Sequence, residues 1–198
     1  VIDGAIALLP APLERPPAIG THPKTLEEEL VEMRDDGPLA ALAFKVQLWE
    51  GRRHVFARIY RGCLKSGDKI RVAGTDVTER VARIFDVDAA KKQRVEVAKA
   101  GQIVLLAGLR QATTGDTLCA QDHQVLLERI ESRAPVLGLA VEPEASGEED
   151  KFLDVMAKVC EEDPTLRFTE DEETGQRILS GMGELHLMIV FELIMLVK

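Results

Sequence analysis

The apolar positions of this chain change their period part-way along. Between Leu39 and about Ala120 they alternate with polar positions in short runs. From residue 134 onward, two longer runs fit helices and sit among strands. Leu42, Phe44, Val46 and Leu48 alternate with Ala43, Lys45 and Gln47, a period of two that predicts a strand ending at Gly51. Val55 to Tyr60 predicts the next strand, with Val55, Ala57 and Ile59 on one face and Arg58 and Tyr60 on the other. Lys65-Ser66-Gly67-Asp68 reads as a turn before Lys69 to Val72. Glu79 to Val87 alternates imperfectly, and Ile103 to Leu106 is an apolar run between Gly101 and Gly108. Thr113 to Asp116 turns the chain into Thr117 to Cys119. Many short strands separated by glycine turns predict a closed antiparallel β barrel, because closure removes exposed sheet edges.

Residues 134–198 predict an α+β module. Val136 to Val141 reads as a strand. Ser146-Gly147-Glu148-Glu149 fits a capping box, and the helix behind it places Phe152, Leu153, Met156, Val159 and Cys160 on one face. Asp163-Pro164 stops that helix. Leu166 to Thr169 and Arg177 to Ser180 read as strands, and Glu184 to Val197 as a second helix. The order β-α-β-β-α predicts a ferredoxin-like split βαβ domain lacking its last strand.

Before the barrel, Val1 to Leu9 reads as the end of a helix. Pro10, Pro12, Pro16 and Pro17 impose an extended linker. Leu26 to Asp36 is acidic and reads as exposed, partly helical or mobile. The expected division is therefore 1–36 as preceding-domain remnant and linker, 37–121 as barrel, 122–133 as linker and 134–198 as the α+β domain. A start on Val rather than Met reads as a piece of a longer protein.

Charge sharpens the division. The net charge is −9, yet residues 1–36 sum to −5, residues 37–133 to +6 and residues 134–198 to −10. A basic middle can meet nucleic acid, whereas the last third repels it away from any local patch. Arg52, Arg53, Arg58, Arg61, Lys65, Lys69 and Arg71 crowd the second and third predicted strands as candidate phosphate contacts. A solvated strand face is the plainer reading of the same charges. Lys91, Lys92, Arg94 and Lys99 form a second basic stretch, read as a solvated loop.

Metal and enzyme chemistry find little support. Cys63, Cys119 and Cys160 lack paired spacing and read as buried thiols of a reducing compartment. His22, His54, His123 and His186 are dispersed, without metal-ligand spacing, so the expected metal set is none. No serine or carboxylate has a recognisable catalytic context, so the expected catalytic set is none. Leu187 to Val197, interrupted by Glu192, is too short for a membrane span, and no signal peptide is evident.

Gly181-Met182-Gly183-Glu184-Leu185-His186-Leu187 is the most specific string. Its glycines permit a tight path from strand to helix. It resembles the third domain of bacterial elongation factor G. Other segments resemble that family in the same order: Leu8-Leu9-Pro10-Ala11-Pro12, Leu42 to Lys45, Arg58-Ile59-Tyr60-Arg61-Gly62 (with Arg61 where Ser is usual), Ala107-Gly108-Leu109, Thr113 to Leu118, Ala140 to Pro143 and Glu162 to Pro164.

The resemblance implies a translation-factor-type barrel, the family's second domain, followed by most of its third. It implies a cytoplasmic, non-enzymatic region of a translational GTPase acting in tRNA and mRNA translocation or ribosome recycling. The expected cofactors are none in this chain, with GTP and magnesium held in a domain outside it; the phosphate-cradling Gly-rich loop and Lys are not found. The implied partners are small-subunit ribosomal RNA and protein and the parent's own GTP-binding domain. Gly181, Met182, Gly183 and Glu184 become candidates for coupling between domains. A ribosomal protection protein of the tetracycline-resistance type and a stand-alone RNA-binding or regulatory module are the alternatives. Two stretches depart from the family. Asp86 to Lys99 is unusual, and the last helix is apolar nearly all round, which implies self-association of the fragment.

Overall fold

The structure is a computed structural model describing residues 2–49, 51–89, 91–130, 133–143 and 147–196. It divides into two units, 1–130 and 131–198.

In the first unit, helix α1 (Ile2–Leu8) and a 3-10 turn (Pro12–Glu14) lead to the paired strands β1 (Ala18–Thr21) and β2 (Glu28–Val31). Ten strands follow: β3 (Ala40–Trp49), β4 (Arg52–Arg61), β5 (Leu64–Lys65), β6 (Lys69–Val72), β7 (Thr78–Arg80), β8 (Arg83–Asp88), β9 (Lys91–Val95), β10 (Val97–Ala98), β11 (Ile103–Ala107) and β12 (Thr117–Cys119). Eight of them form one sheet in the order β7-β6-β12-β3-β4-β11-β8-β9, and β5 pairs with β10 apart from it.

The expected closed barrel is therefore corrected. Among the described residues the outermost strands β7 and β9 pair with β6 and β8 and not with each other. Side chains from outside the eight-stranded sheet also contribute to its core. Leu64 and Ala98 from the separate β5–β10 pair, with Val81, Leu109 and Ala112 from connecting segments, join the aliphatic core. The loop beside β7 is hung by one carboxylate: Glu79 accepts the backbone N–H groups of Arg110, Gln111 and Ala112. A short edge strand with a charged anchor also limits sheet extension.

The alternation in β4 holds, with Val55, Ala57 and Ile59 fully buried. In β3 it does not: Ala41, Ala43 and Val46 face the core, while Leu42, Phe44 and Leu48 are half-buried. Opposite β4 the register jumps between Ala43 and Lys45, so Phe44 is the extra residue of a bulge. One inserted residue exchanges the faces beyond it.

The acidic stretch expected to be helical or mobile instead supplies β2, whose Val31 is buried. Val125 and Leu127, in the stretch read as a linker, share that smaller core with Ala40, Ala73 and Cys119.

The second unit contains β13 (Leu137–Ala140), α2 (Glu149–Glu162), β14 (Arg167–Glu170), β15 (Arg177–Gly181) and α3 (Glu184–Leu196). Its sheet order is β13-β15-β14, antiparallel throughout. The mixed β and α+β architecture of the chain is thus as expected. Ser146, the expected cap, lies outside the described residues, as does Val197; the residue preceding α2 is Glu148, with no side-chain cap bond. Met156, Leu179, Leu187 and Val190 form the core, with Phe152, Val155 and Val159 against it, whereas Leu153 faces outward. Leu185, Met188, Ile189 and Leu193 leave an exposed apolar stripe on α3. Among the described residues no helix is long and apolar enough to cross a membrane.

Candidate functional site

The basic residues of the first unit divide into those bonded inward and those open to a ligand. Arg61 is buried; its Nε–H donates to the Pro38 carbonyl at 3.0 Å and its Nη2–H to Glu29 Oε1 at 2.8 Å. His123 Nε2 lies 2.9 Å from Glu29 Oε2, so the carboxylate is held from two sides. Burial alone would push Glu29 up. The hydrogen bonds and charges of His123 and Arg61 outweigh that, leaving its carboxyl below the ordinary range. This cluster ties β2 to the end of β4 and to the segment after β12.

Arg53 donates to the carbonyls of Leu109 and Ala112. Arg71 bonds the Thr75 carbonyl and pairs with Asp76 at 2.7 Å. These three arginines are structural at rest. Arg52 and Lys65 are exposed and Arg58 is half-buried. The Arg58 guanidinium lies 5.4 Å from the Tyr60 ring centre, and its buried Nε has no hydrogen-bond partner. Arg58 thus retains unspent donor capacity on the outer face of β4.

Gly62 follows this cluster with φ +78°, and a Cβ there would stand 2.8 Å from the Gly37 carbonyl oxygen. The stretch from Gly62 to Gly67 does not fit a nucleotide phosphate. It runs into strands β5 and β6 with no helix behind it, and the Lys65 N–H already donates to the Asp68 carboxylate at 2.8 Å. GTP with its magnesium therefore has no cradle here. Among the described residues no group of His, Cys, Asp or Glu is arranged to hold a metal ion.

In the second unit, Gly181 ends β15 and Glu184 opens α3. A Cβ on Gly181 would stand 2.8 Å from the Leu187 side chain and 3.1 Å from His186 Nδ1. That ring spans two turns: Nδ1 accepts the Met182 N–H at 3.1 Å, and Nε2 lies 2.9 Å from Asp163 Oδ2. With Nδ1 accepting, the proton sits on Nε2 and donates to Asp163. Asp163 also accepts the Thr165 hydroxyl and N–H. Burial raises Asp163, and the Thr165 and His186 bonds outweigh it, so its carboxyl lies below the ordinary range. The sequence pointed to the glycines; the histidine's part shows only once Asp163 is placed beside it.

Residues 133–195 match the family model of Elongation Factor G, domain III, and residues 52–119 match that of Elongation factor Tu domain 2. Over 192 residues, 97% of this chain, the sequence is 43% identical to Elongation factor G 1 of Geobacter sulfurreducens and 42% identical to Elongation factor G 2 of Syntrophus aciditrophicus.

The chain belongs to the elongation factor G family.

It spans 28% of the length of those elongation factor G relatives. A solved structure from Thermus thermophilus superposes with a TM-score of 0.76 at 26% identity, covering 98% of this chain and 27% of that one. The matched parts of the elongation factor are its domain III and the domain 2 type, which are non-catalytic and distinct from the GTP-binding domain.

Proposed function

We propose that this chain is the ribosome-docking and interdomain-coupling region of a translational GTPase of the elongation factor G type, acting in translocation or ribosome recycling. The observation that carries the reading is the collinear match to elongation factor G over 97% of the chain. On this reading GTP and magnesium belong to a separate GTP-binding domain of the parent, and this region converts nucleotide state into domain orientation.

Arg52, Arg58 and Lys65 are the docking cations, meeting small-subunit ribosomal RNA through its phosphates. Arg61, Arg53 and Arg71 hold the fold that presents them. In the second unit, Gly181 to Glu184, fixed by His186, forms the coupling turn facing the GTP-binding domain or a small-subunit protein.

Sedimentation of the chain with isolated ribosomal subunits tests the docking reading. It predicts association with the small subunit that weakens as salt rises, because phosphate contacts release counterions. Association that ignores salt, or that favours the large subunit, would contradict it.

A further inference from the structure

The first unit keeps its aromatic residues out of its main core, with Tyr60 packed against the smaller one. The main cluster there is wholly aliphatic. Phe44, Trp49, Phe56, Tyr60 and Phe85, all the aromatic residues of that unit, are half-buried. Three carry a cation at the ring: Lys45 Nζ lies 6.0 Å from the Phe56 centre, the Arg58 guanidinium 5.4 Å from Tyr60, and Lys92 Nζ 3.1 Å from Trp49. Ring and charge are thus repeatedly presented together at a surface.

The ladder registers put part of this set on one face. Lys45, Phe56, Leu105, Phe85 and Arg94 stand opposite one another across β3, β4, β11, β8 and β9. Directly opposed residues of an antiparallel pair share a face. Arg58 and Arg83 lie two residues from Phe56 and Phe85 along their strands, so they share it as well. Asp86 and Asp88 alternate away from it. The Arg94 guanidinium meets Glu96 at 3.1 Å, an exposed pair that competes weakly with a polyanion.

We propose that this outer face of the β3–β4–β11–β8 ladder is a stacking surface for unpaired bases of an RNA strand, with Phe56 and Phe85 as the ring platforms and Arg58, Arg83 and Arg94 as phosphate contacts. The inference deepens the docking reading and rests on it: it adds the class of RNA element, single-stranded rather than duplex, and ring contacts that the charges alone do not supply. Every base offers a π face, and aromatic side chains on a basic sheet take bases from single strands, whereas bases stacked in a duplex are unavailable to them. The absence of a carboxylate from the five-residue row, in a chain of net charge −9, is the charge complementarity that selects a polyanion.

The test uses the full 198-residue chain. A labelled oligouridylate of about 12 nucleotides is titrated against a perfect RNA duplex of equal length and against heparin, in the wild type and in F56L/F85L. Leucine keeps apolar cover over the buried Leu105 while removing the rings. The expected result is preference for the oligouridylate over both other polyanions, and a loss of about fivefold or more in F56L/F85L with duplex affinity unchanged. Trp49, the single tryptophan, gives a second readout in the unaltered chain: its fluorescence shifts on binding the oligouridylate. Absence of oligouridylate binding, equal binding of duplex or heparin, affinity unchanged by F56L/F85L, or capture of a protein at this face in place of RNA would each overturn the inference. If F56L/F85L leaves oligouridylate affinity intact while small-subunit association persists, the docking reading stands without this addition. Loss of salt-dependent small-subunit association with ring-dependent oligouridylate binding intact faults the docking reading instead.

Discussion

Arg61 and Glu29, 32 residues apart in sequence, meet at 2.8 Å with the arginine almost wholly buried. The pair fastens strand β2 to the end of β4, and His123 bonds the same carboxylate from the segment beyond β12. Removing Glu29 leaves a buried guanidinium without its counter-charge, which is more damaging than losing a surface pair. Because Glu29 itself is about a third exposed, E29A is expected to destabilise the first unit by about 2 kcal/mol. Chemical denaturation measures this, and R61A/E29A should lose less than the two single changes added together.

The carboxylates of Glu29 and Asp163 both titrate below their ordinary values of 4.5 and 3.8. A depressed folded value means the stabilisation is complete above the unfolded value and is lost as pH falls through the folded one. Stability should therefore hold from neutrality down to about pH 5 and decline below about pH 4. E29Q should flatten the acid limb of the first unit and D163N that of the second, as followed by thermal unfolding across pH.

Gly62 sits where the left-handed backbone and the nearby Gly37 carbonyl both exclude a side chain. G62A is expected to cost about 2 kcal/mol or more, whereas G147A, with open space around it, should cost less. Melting temperatures of the two variants compare them directly.

His186 fixes the glycine turn through the Met182 amide. In nitrogen NMR the neutral ring should be found as the Nε2–H tautomer. H186A should raise hydrogen exchange at the Met182 amide by about tenfold, with the core amides of Leu179 protected as before. Unchanged Met182 exchange would remove His186 from that role.

How far these features could be read from sequence depends on whether their cause is local. The face of β4 was legible because Val55, Ala57 and Ile59 alternate without interruption, and the β-α-β-β-α order because its turns carry Pro and Gly signals. The face of β3 was not, because a bulge at Phe44 has no signature in the run itself. Barrel closure was an inference from strand number, and the pairing stops at β7 and β9; that Leu64 and Ala98 join the core from outside the sheet was not visible in their own short runs. Arg61 read as a phosphate contact because its partner, Glu29, lies in a stretch that looked like a solvated acidic linker. The glycine turn was visible as a motif, whereas the Asp163–His186 bond that holds it joins residues 23 apart.

The central claim is docking through Arg52, Arg58 and Lys65 of the first unit, and the most direct measurement is the affinity of the chain for the small ribosomal subunit at two salt concentrations. The wild type is compared with R52E/R58E/K65E, a set that leaves the Arg61–Glu29 pair intact. The account predicts a steep fall in wild-type affinity with salt, and in the triple variant both weaker binding and a shallower salt dependence, by about one unit of log–log slope for each lost phosphate contact. Equal affinity and equal salt slope for the two proteins would contradict it.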